Sequence, residues 1–394
     1  MKTSTPPLLV LSEQDSELLC ELAETLTVHN IQQYNTLIKT KEGFADCRRW
    51  KELRRKDGVR IYRERNRHNG LPNTPSLLLL GTINGTLDDV MYGAVASTDE
   101  AIRLKSTCTL DGVIDSKVLH ELVHPTMDDP FHHIGVKWRL YNSQRDYISL
   151  DTTGIAHTVK RERIGYVISH SVAFAQIPGM EETHNIERGN MSVCALYIQK
   201  TLDTVECYVR GFFDFHTQNE MVNTMSLQSI AAQWSCFTRN IECAQMKKLV
   251  WRMRNLSRIN SSLSLSNVRS SWTQQAPASV PKRCTLCSKS FGFLGAKPKR
   301  CKSCLQQICS RCCSKRLVCV VAPDQRTVLE KKRSFCCSCL ADSAHSDALE
   351  VARDELANSK AHYEACLAEA QAIARPSRAS FMHSVVSRCS RVYS

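Results

Sequence analysis

Apolar side chains return at helical spacing across residues 13–28, as Leu18, Leu19, Leu22 and Leu26, behind Ser12, whose hydroxyl suits an N-cap. Polar residues then loosen the pattern over 32–42. Trp50-Lys51-Glu52-Leu53 followed by Asp57-Gly58-Val59-Arg60-Ile61-Tyr62 reads as a turn leading into a strand. A second strand is predicted at 76–83, and Thr86-Leu87-Asp88-Asp89 opens a helix that runs to about Ala96. Strand-like runs follow near 115–123, 135–141, 146–150, 163–171, 192–199 and 204–215. From 221 to about 255, Leu227, Ile230, Ala231, Trp234, Phe237 and Ile241 share one face of a long predicted helix. Such a stripe must lie on something. The order of elements predicts an α+β fold, a curved antiparallel sheet gripping a long C-terminal helix, and a deep apolar cavity is common between two such layers.

The pattern changes beyond the helix. Residues 256–280 are rich in Ser, Asn and Gln and read as a flexible tether. Cysteines then fall as Cys284-x2-Cys287, Cys301-x2-Cys304, Cys309-x2-Cys312 and Cys336-x2-Cys339. A segment with so few large apolar residues cannot fold on burial alone, and four such pairs point to two zinc ions in thiolate sites. Of the 20 cysteines in the chain, 11 lie between Cys284 and Cys339 and seven are scattered before residue 256. No stretch approaches a membrane span, and residues 1–12 lack a basic region followed by an apolar run, so zinc-bound thiols are favoured over a secreted disulfide framework.

Charge divides the chain at the same place. Residues 1–255 carry 30 Lys and Arg against 30 Asp and Glu, so the whole net charge of +13 lies beyond them. Residues 281–316 hold ten basic residues and no acidic one. Eight thiolates and two zinc ions subtract only four charges, which leaves a strongly positive module suited to an anionic membrane or to nucleic acid.

Within residues 1–255, Trp50 with Asp57-Gly58-Val59-Arg60-Ile61-Tyr62, the Lys137-Trp138-Arg139 strand, Arg145-Asp146-Tyr147 and the long terminal helix together resemble the START lipid-binding domains of the helix-grip superfamily. The resemblance implies a lipid held in a tunnel with no chemistry done on it. A filled core that binds nothing is the alternative. Trp138 and Arg139 point to opposite sides of a strand, so one of them faces the cavity; an Arg139 paired with Asp146 would meet a lipid headgroup, and Trp234 would line the cavity from the helix. The His124-Pro125-Thr126-Met127-Asp128-Asp129-Pro130-Phe131-His132-His133 stretch reads as a solvated surface loop. No nucleophile elbow, phosphate-cradling loop or His-Glu-x-x-His helix occurs, so no catalytic residue is expected.

The eight-cysteine spacing of residues 281–342 resembles the FYVE zinc fingers, with Phe291 where those fingers place an aromatic residue. By that resemblance one zinc takes Cys284, Cys287, Cys309 and Cys312, and the other takes Cys301, Cys304, Cys336 and Cys339. Cys313, Cys319 and Cys337 are left over. Lys297, Lys299, Arg300 and Lys302 stand where the family carries its phosphoinositide-binding motif, with Lys and Arg in place of its His pair. Phe293 and Leu294 occupy its membrane-inserting loop, or else pack on the zinc core. A RING-type ubiquitin ligase or other protein-interaction finger is a rival reading, as is a nucleic-acid binder.

Residues 343–375 form an acidic predicted helix with Leu349, Ala352, Leu356, Tyr363, Cys366, Ala370 and Ile373 near coiled-coil period. It offers a surface for a protein partner or folds back on the basic finger. Residues 376–394 read as a disordered Ser/Arg-rich tail. The chain as a whole reads as a cytoplasmic, non-enzymatic lipid-binding protein, peripheral on anionic membranes of endosomal type.

Overall fold

The computed structural model describes residues 6–65, 74–158, 160–217, 219–266, 283–291, 298–322 and 326–358. Helix α1 (Glu13–Asn35) begins with a capping box in which the Ser12 hydroxyl accepts from the Asp15 N–H and the Asp15 carboxylate reaches back. Strands β1 (Trp50–Lys56) and β2 (Val59–Glu64) are joined by Asp57 and Gly58, both at positive φ (50° and 81°), which suits a two-residue hairpin turn. Then come β3 (Ser76–Asn84), α2 (Leu87–Ala94), α3 (Asp99–Thr109), β4 (Val113–Val123), β5 (His133–Tyr141), β6 (Arg145–His157), β7 (Arg163–Ser171), the short α4 (Glu181–His184), β8 (Glu187–Arg188), β9 (Asn190–Gln199) and β10 (Thr204–Asp214).

These strands make one sheet in the order β1-β2-β3-β10-β9-β7-β6-β5-β4, with every neighbour along that path antiparallel and β8 added beside β6. Alternation along each strand gives the sheet two apolar faces. Leu78 and Leu80, with Trp50, Tyr62 and Ile168, face the half of α1 that carries Leu26 and Ile31. Leu77 and Leu79, with Tyr197, Val209 and Phe213, face the other way, toward the C-terminal helices. The fold is α+β and of the helix-grip arrangement expected.

Two features of the helical layer differ from expectation. The sequence shows one helix at 87–96, whereas a second helix, α3, follows it, capped by the Thr98 hydroxyl. The long closing helix is interrupted: α5 (Glu220–Gln233) passes into a 3-10 segment at Trp234–Arg239 before α6 (Asn240–Ser266). An unbroken stripe from Leu227 to Ile241 conceals the change of helix type, because apolar residues line both the α and the 3-10 portions. At the start of α6 a Cβ on Gly93 would meet the Asn240 carbonyl oxygen at 1.9 Å, so only glycine lets α2 lie this close.

Residues 256–266 are helical, so the expected tether at 256–280 starts as part of α6; residues 267–280 lie outside the described residues. The finger consists of two hairpins, β11 (Lys299–Arg300) with β12 (Gln307–Ile308) and β13 (Cys313–Val321) with β14 (Val328–Cys336), followed by α7 (Cys337–His345). It is packed against the sheet domain. Met246, Leu249 and Val250 of α6, with Leu104 and Cys108 of α3, share a core with Ile308, Val318, Cys319 and Phe335. The physical reason is size: the finger cannot cover its own apolar residues, and α6 covers them.

After α7 the chain returns to the sheet domain. Residues 348–358 form a helix, α8, and Ala348, Val351 and Ala352 are buried in the core beneath α2 and α6. Trp251 Nε1–H donates to Asp354 (2.6 Å) and the Tyr92 hydroxyl to Glu355 (2.9 Å). Of the expected seam, Ala352 is buried in this core and Leu349 packs against it, so the described part of the acidic helix folds back on the sheet domain. Residues 359–375 and the tail at 376–394 lie outside the described residues. No helix among the described residues is long and apolar enough to cross a membrane.

Candidate functional site

A cavity of about 460 Å³ lies between the sheet and the broken helix. Val167, Val193, Met191, Phe213 and Phe215 supply its sheet wall, and Ile230, Trp234 and Phe237 supply its helical wall. Phe213 and Phe215 stack at 6.0 Å, and Trp234 meets Phe237 edge-on at 5.6 Å, which fixes the aromatic rings. Strand alternation sets what β5 and β6 contribute. The register pairs Lys137 with Ser149 and Arg139 with Tyr147, so the odd-numbered residues of both strands share the cavity side.

Of the residues expected in the cavity, Arg139 and Trp234 line it. Trp138 and Asp146 do not. They lie on the opposite face, where Trp138 Nε1–H donates to Asp146 (2.8 Å) and the Arg188 guanidinium reaches both of its oxygens (2.9 Å each). The partner of Arg139 is Asp151. Its Nη1 donates to Asp151 Oδ1 (3.1 Å), its Nη2 closes on Oδ2, and Ser149 Oγ donates to the same carboxylate (2.8 Å). Asp146 is adjacent to Arg145-Tyr147 in sequence, but it falls on an even position and faces away.

Burial alone would raise the Asp151 carboxyl, but Arg139, then Lys137, and hydrogen bonds from Arg139 and Ser149 outweigh it and hold it well below the usual carboxylate range. Burial pushes the Lys137 ammonium down to about 8 against the pull of Asp151. Its Nζ also donates to the Ala96 carbonyl (2.8 Å). Lys105 of α3, at the cavity wall, donates to the Ala94 carbonyl (2.8 Å) and is likewise lowered by burial. The polar end of the cavity is thus lined by Lys105, Arg139 and Tyr141 with Asp111 and Thr109 beside them, and Asp151 holds Arg139 in an ion pair. Tyr141 was legible two positions beyond Arg139 on the same strand face. Lys105 was not, since its helix was not predicted.

The finger gathers two groups of thiols, Cys284, Cys287, Cys309 and Cys312 in one and Cys301, Cys304, Cys336 and Cys339 in the other, each with its sulfurs within 4.8 Å of one another. Among the described residues these are the only such groups of three or more His, Cys, Asp or Glu. A tetrahedral ion held at about 2.3 Å from each thiolate spaces the sulfurs by about 3.8 Å. Cys287 and Cys309 Sγ stand 3.7 Å apart, and Cys304 and Cys336 Sγ 3.9 Å, so each group could hold a metal ion of that size. Backbone N–H groups already point at the sulfurs, from Cys309 to Cys284 (3.4 Å) and from Cys336 to Cys301 (3.3 Å). The residue after each leading pair, Ser288 and Leu305, takes a left-handed conformation (φ 57° and 61°) to close the knuckle.

The leftover cysteines stand apart from both groups. The Cys337 thiol donates to the Cys312 carbonyl (3.5 Å), Cys313 opens β13, and Cys319 is buried against α3 and α6. Around the second group, Arg300 and Lys302 are exposed and Lys299 is half-buried; Phe293, Leu294 and Lys297 lie outside the described residues. Phe291 packs on the finger core. His133, expected in an exposed loop, is buried at the start of β5.

No family model and no curated protein matches the sequence. Among solved structures the chain is similar to human StAR-related lipid transfer protein 5 at 13% identity, over 58% of this chain and 98% of that one, with a TM-score of 0.39. It is similar to human STARD10 at 12% identity, over 68% and 92%, with a TM-score of 0.37. A fragment of a STAR-related lipid transfer protein from Xanthomonas axonopodis is similar at 11% identity, over 49% and 99%, with a TM-score of 0.34.

Proposed function

We propose that this is a non-enzymatic lipid-binding protein, with a START-like cavity for one apolar molecule and a FYVE-like two-zinc finger that docks it on anionic, phosphoinositide-containing membrane of endosomal type. The observation that carries the reading is the cavity, whose walls are aromatic and aliphatic and whose polar end carries Arg139 ion-paired to Asp151. Its volume suits one molecule of drug-like to small-lipid size. A ligand hydroxyl or headgroup can exchange hydrogen bonds with Arg139 or Tyr141 without leaving a buried charge unmatched. Zinc in the two thiol groups would cross-link the finger, contributing about 10–16 kcal/mol per ion.

The test is to purify the full chain, extract it with organic solvent and identify what is released by mass spectrometry, then displace that lipid with fluorescent analogues. One lipid per chain together with two zinc ions by elemental analysis is the expected result. A chain that carries no lipid and takes up none of a panel of sterols, fatty acids and phospholipids would overturn it.

A further inference from the structure

In the β13–β14 hairpin the register sets Arg316 opposite Arg333, Leu317 opposite Lys332 and Val318 opposite Lys331. Lys315, Arg316, Lys331 and Lys332 are all exposed, and no carboxylate among the described residues pairs with any of them. The nearest acid in the ladder, Glu330, stands opposite Cys319 at the end that packs on α3 and α6. Like charges directly opposite across two strands destabilise a hairpin, so the Arg316–Arg333 pair works against the finger's own stability. At its centre Leu317 is 46% exposed.

We infer that this hairpin is the surface by which the finger engages an anionic lipid bilayer. The inference rests on the membrane reading above and moves the contact from Lys299, Arg300 and Lys302 to the hairpin. Charge complementarity selects an anionic partner. Exposed Leu317 selects lipid over a nucleic-acid backbone, since an aliphatic side chain among cations can enter the acyl boundary while Lys and Arg reach up to phosphates. The hairpin's other end is fixed to α3 and α6, so docking it orients the cavity relative to the bilayer. A surface that works by charge density has no need of one phosphate position.

The experiment is co-sedimentation of the full chain with phosphatidylcholine vesicles containing phosphatidylserine or, at matched charge, phosphatidylinositol 3-phosphate. Three variants are compared with the parent: Lys315→Gln with Arg316→Gln, Lys331→Gln and Lys332→Gln; Leu317→Ser alone; and Lys299→Ala with Arg300→Ala and Lys302→Ala. Circular dichroism checks that each remains folded, and Leu317→Ser serves as the independent probe should the quadruple variant unfold. The expected result is similar parent binding to both vesicles, at least about a hundredfold loss in the quadruple variant and a smaller loss for Leu317→Ser, with the third variant close to parent. Hairpin variants that bind like the parent, while the third variant fails, would overturn the inference and leave membrane docking standing. A parent that binds neither vesicle overturns the membrane reading itself. Tighter binding to duplex DNA than to vesicles, lost in the quadruple variant, would overturn it in favour of nucleic acid.

Discussion

Lys248 of α6 and Asp89 of α2 form an ion pair in which both side chains are buried. The contact joins the helix that carries the finger to the helix that opens the sheet domain's second layer. Removing one partner strands the other charge without water. Lys248→Met is therefore expected to cost about 3–5 kcal/mol, while Lys248→Met with Asp89→Leu recovers most of it. Urea denaturation of the three proteins checks this, and equal losses in single and double variants would contradict it.

Arg139 and Asp151 allow a pH-resolved form of the same experiment. The folded Asp151 pKa is depressed, so its contribution is present above the unfolded value near 4 and is lost as pH falls toward the folded value. Lys137 is also depressed, to about 8, so the folded state binds fewer protons and stability rises with pH between about 8 and 10.4. Lys137→Met should reduce the alkaline rise, to which Lys105 also contributes, and Asp151→Asn should reduce the acid loss, to which Glu64 and Glu206 also contribute, while lowering stability by about 3–5 kcal/mol. Denaturation midpoints across the pH range read both effects.

The cavity can be filled without touching its polar end. Val193→Phe adds bulk where the sheet faces the helix. Lipid loading is expected to fall at least about tenfold, a cost of about 1.4 kcal/mol, with the melting temperature unchanged or raised. Unaltered loading would place the ligand elsewhere.

Ser288 is exposed and holds a left-handed conformation that L-residues adopt at a cost of roughly 1–2 kcal/mol. Ser288→Gly should stabilise the finger by about 1 kcal/mol, seen as greater resistance to chelators. Chelation of the parent is expected to disturb more than the finger, since Met246, Leu249 and Val250 lose their cover. One shared thermal transition in the untreated protein, lowered by chelation, would bear this out; an unmoved sheet-domain transition would contradict it.

Much of this was legible in local pattern. Period-two alternation gave the strands, and x2 spacing gave the cysteine pairs, because both signals are written within a few residues. What was illegible depends on register or on distant packing. That Arg139 meets Asp151 follows only from the pairing of β5 with β6. Met246, Leu249 and Val250 look like one more stretch of helical stripe, and nothing in their spacing says that they face a finger. Leu349 and Ala352 suit a coiled-coil seam as well as the core that takes them. The 3-10 segment is hidden for a related reason, since burial and not propensity holds Trp234 in place.

Helix α3 turns Lys105 and Thr109 toward the cavity and Leu104 and Cys108 toward the finger. Whatever settles in the cavity and whatever metal settles in the finger press on opposite sides of one short rod. Thermodynamic linkage makes any influence between them mutual and equal in size: a cargo that tightens the hold on zinc by some factor is itself held more tightly, by that same factor, in the metal-loaded protein.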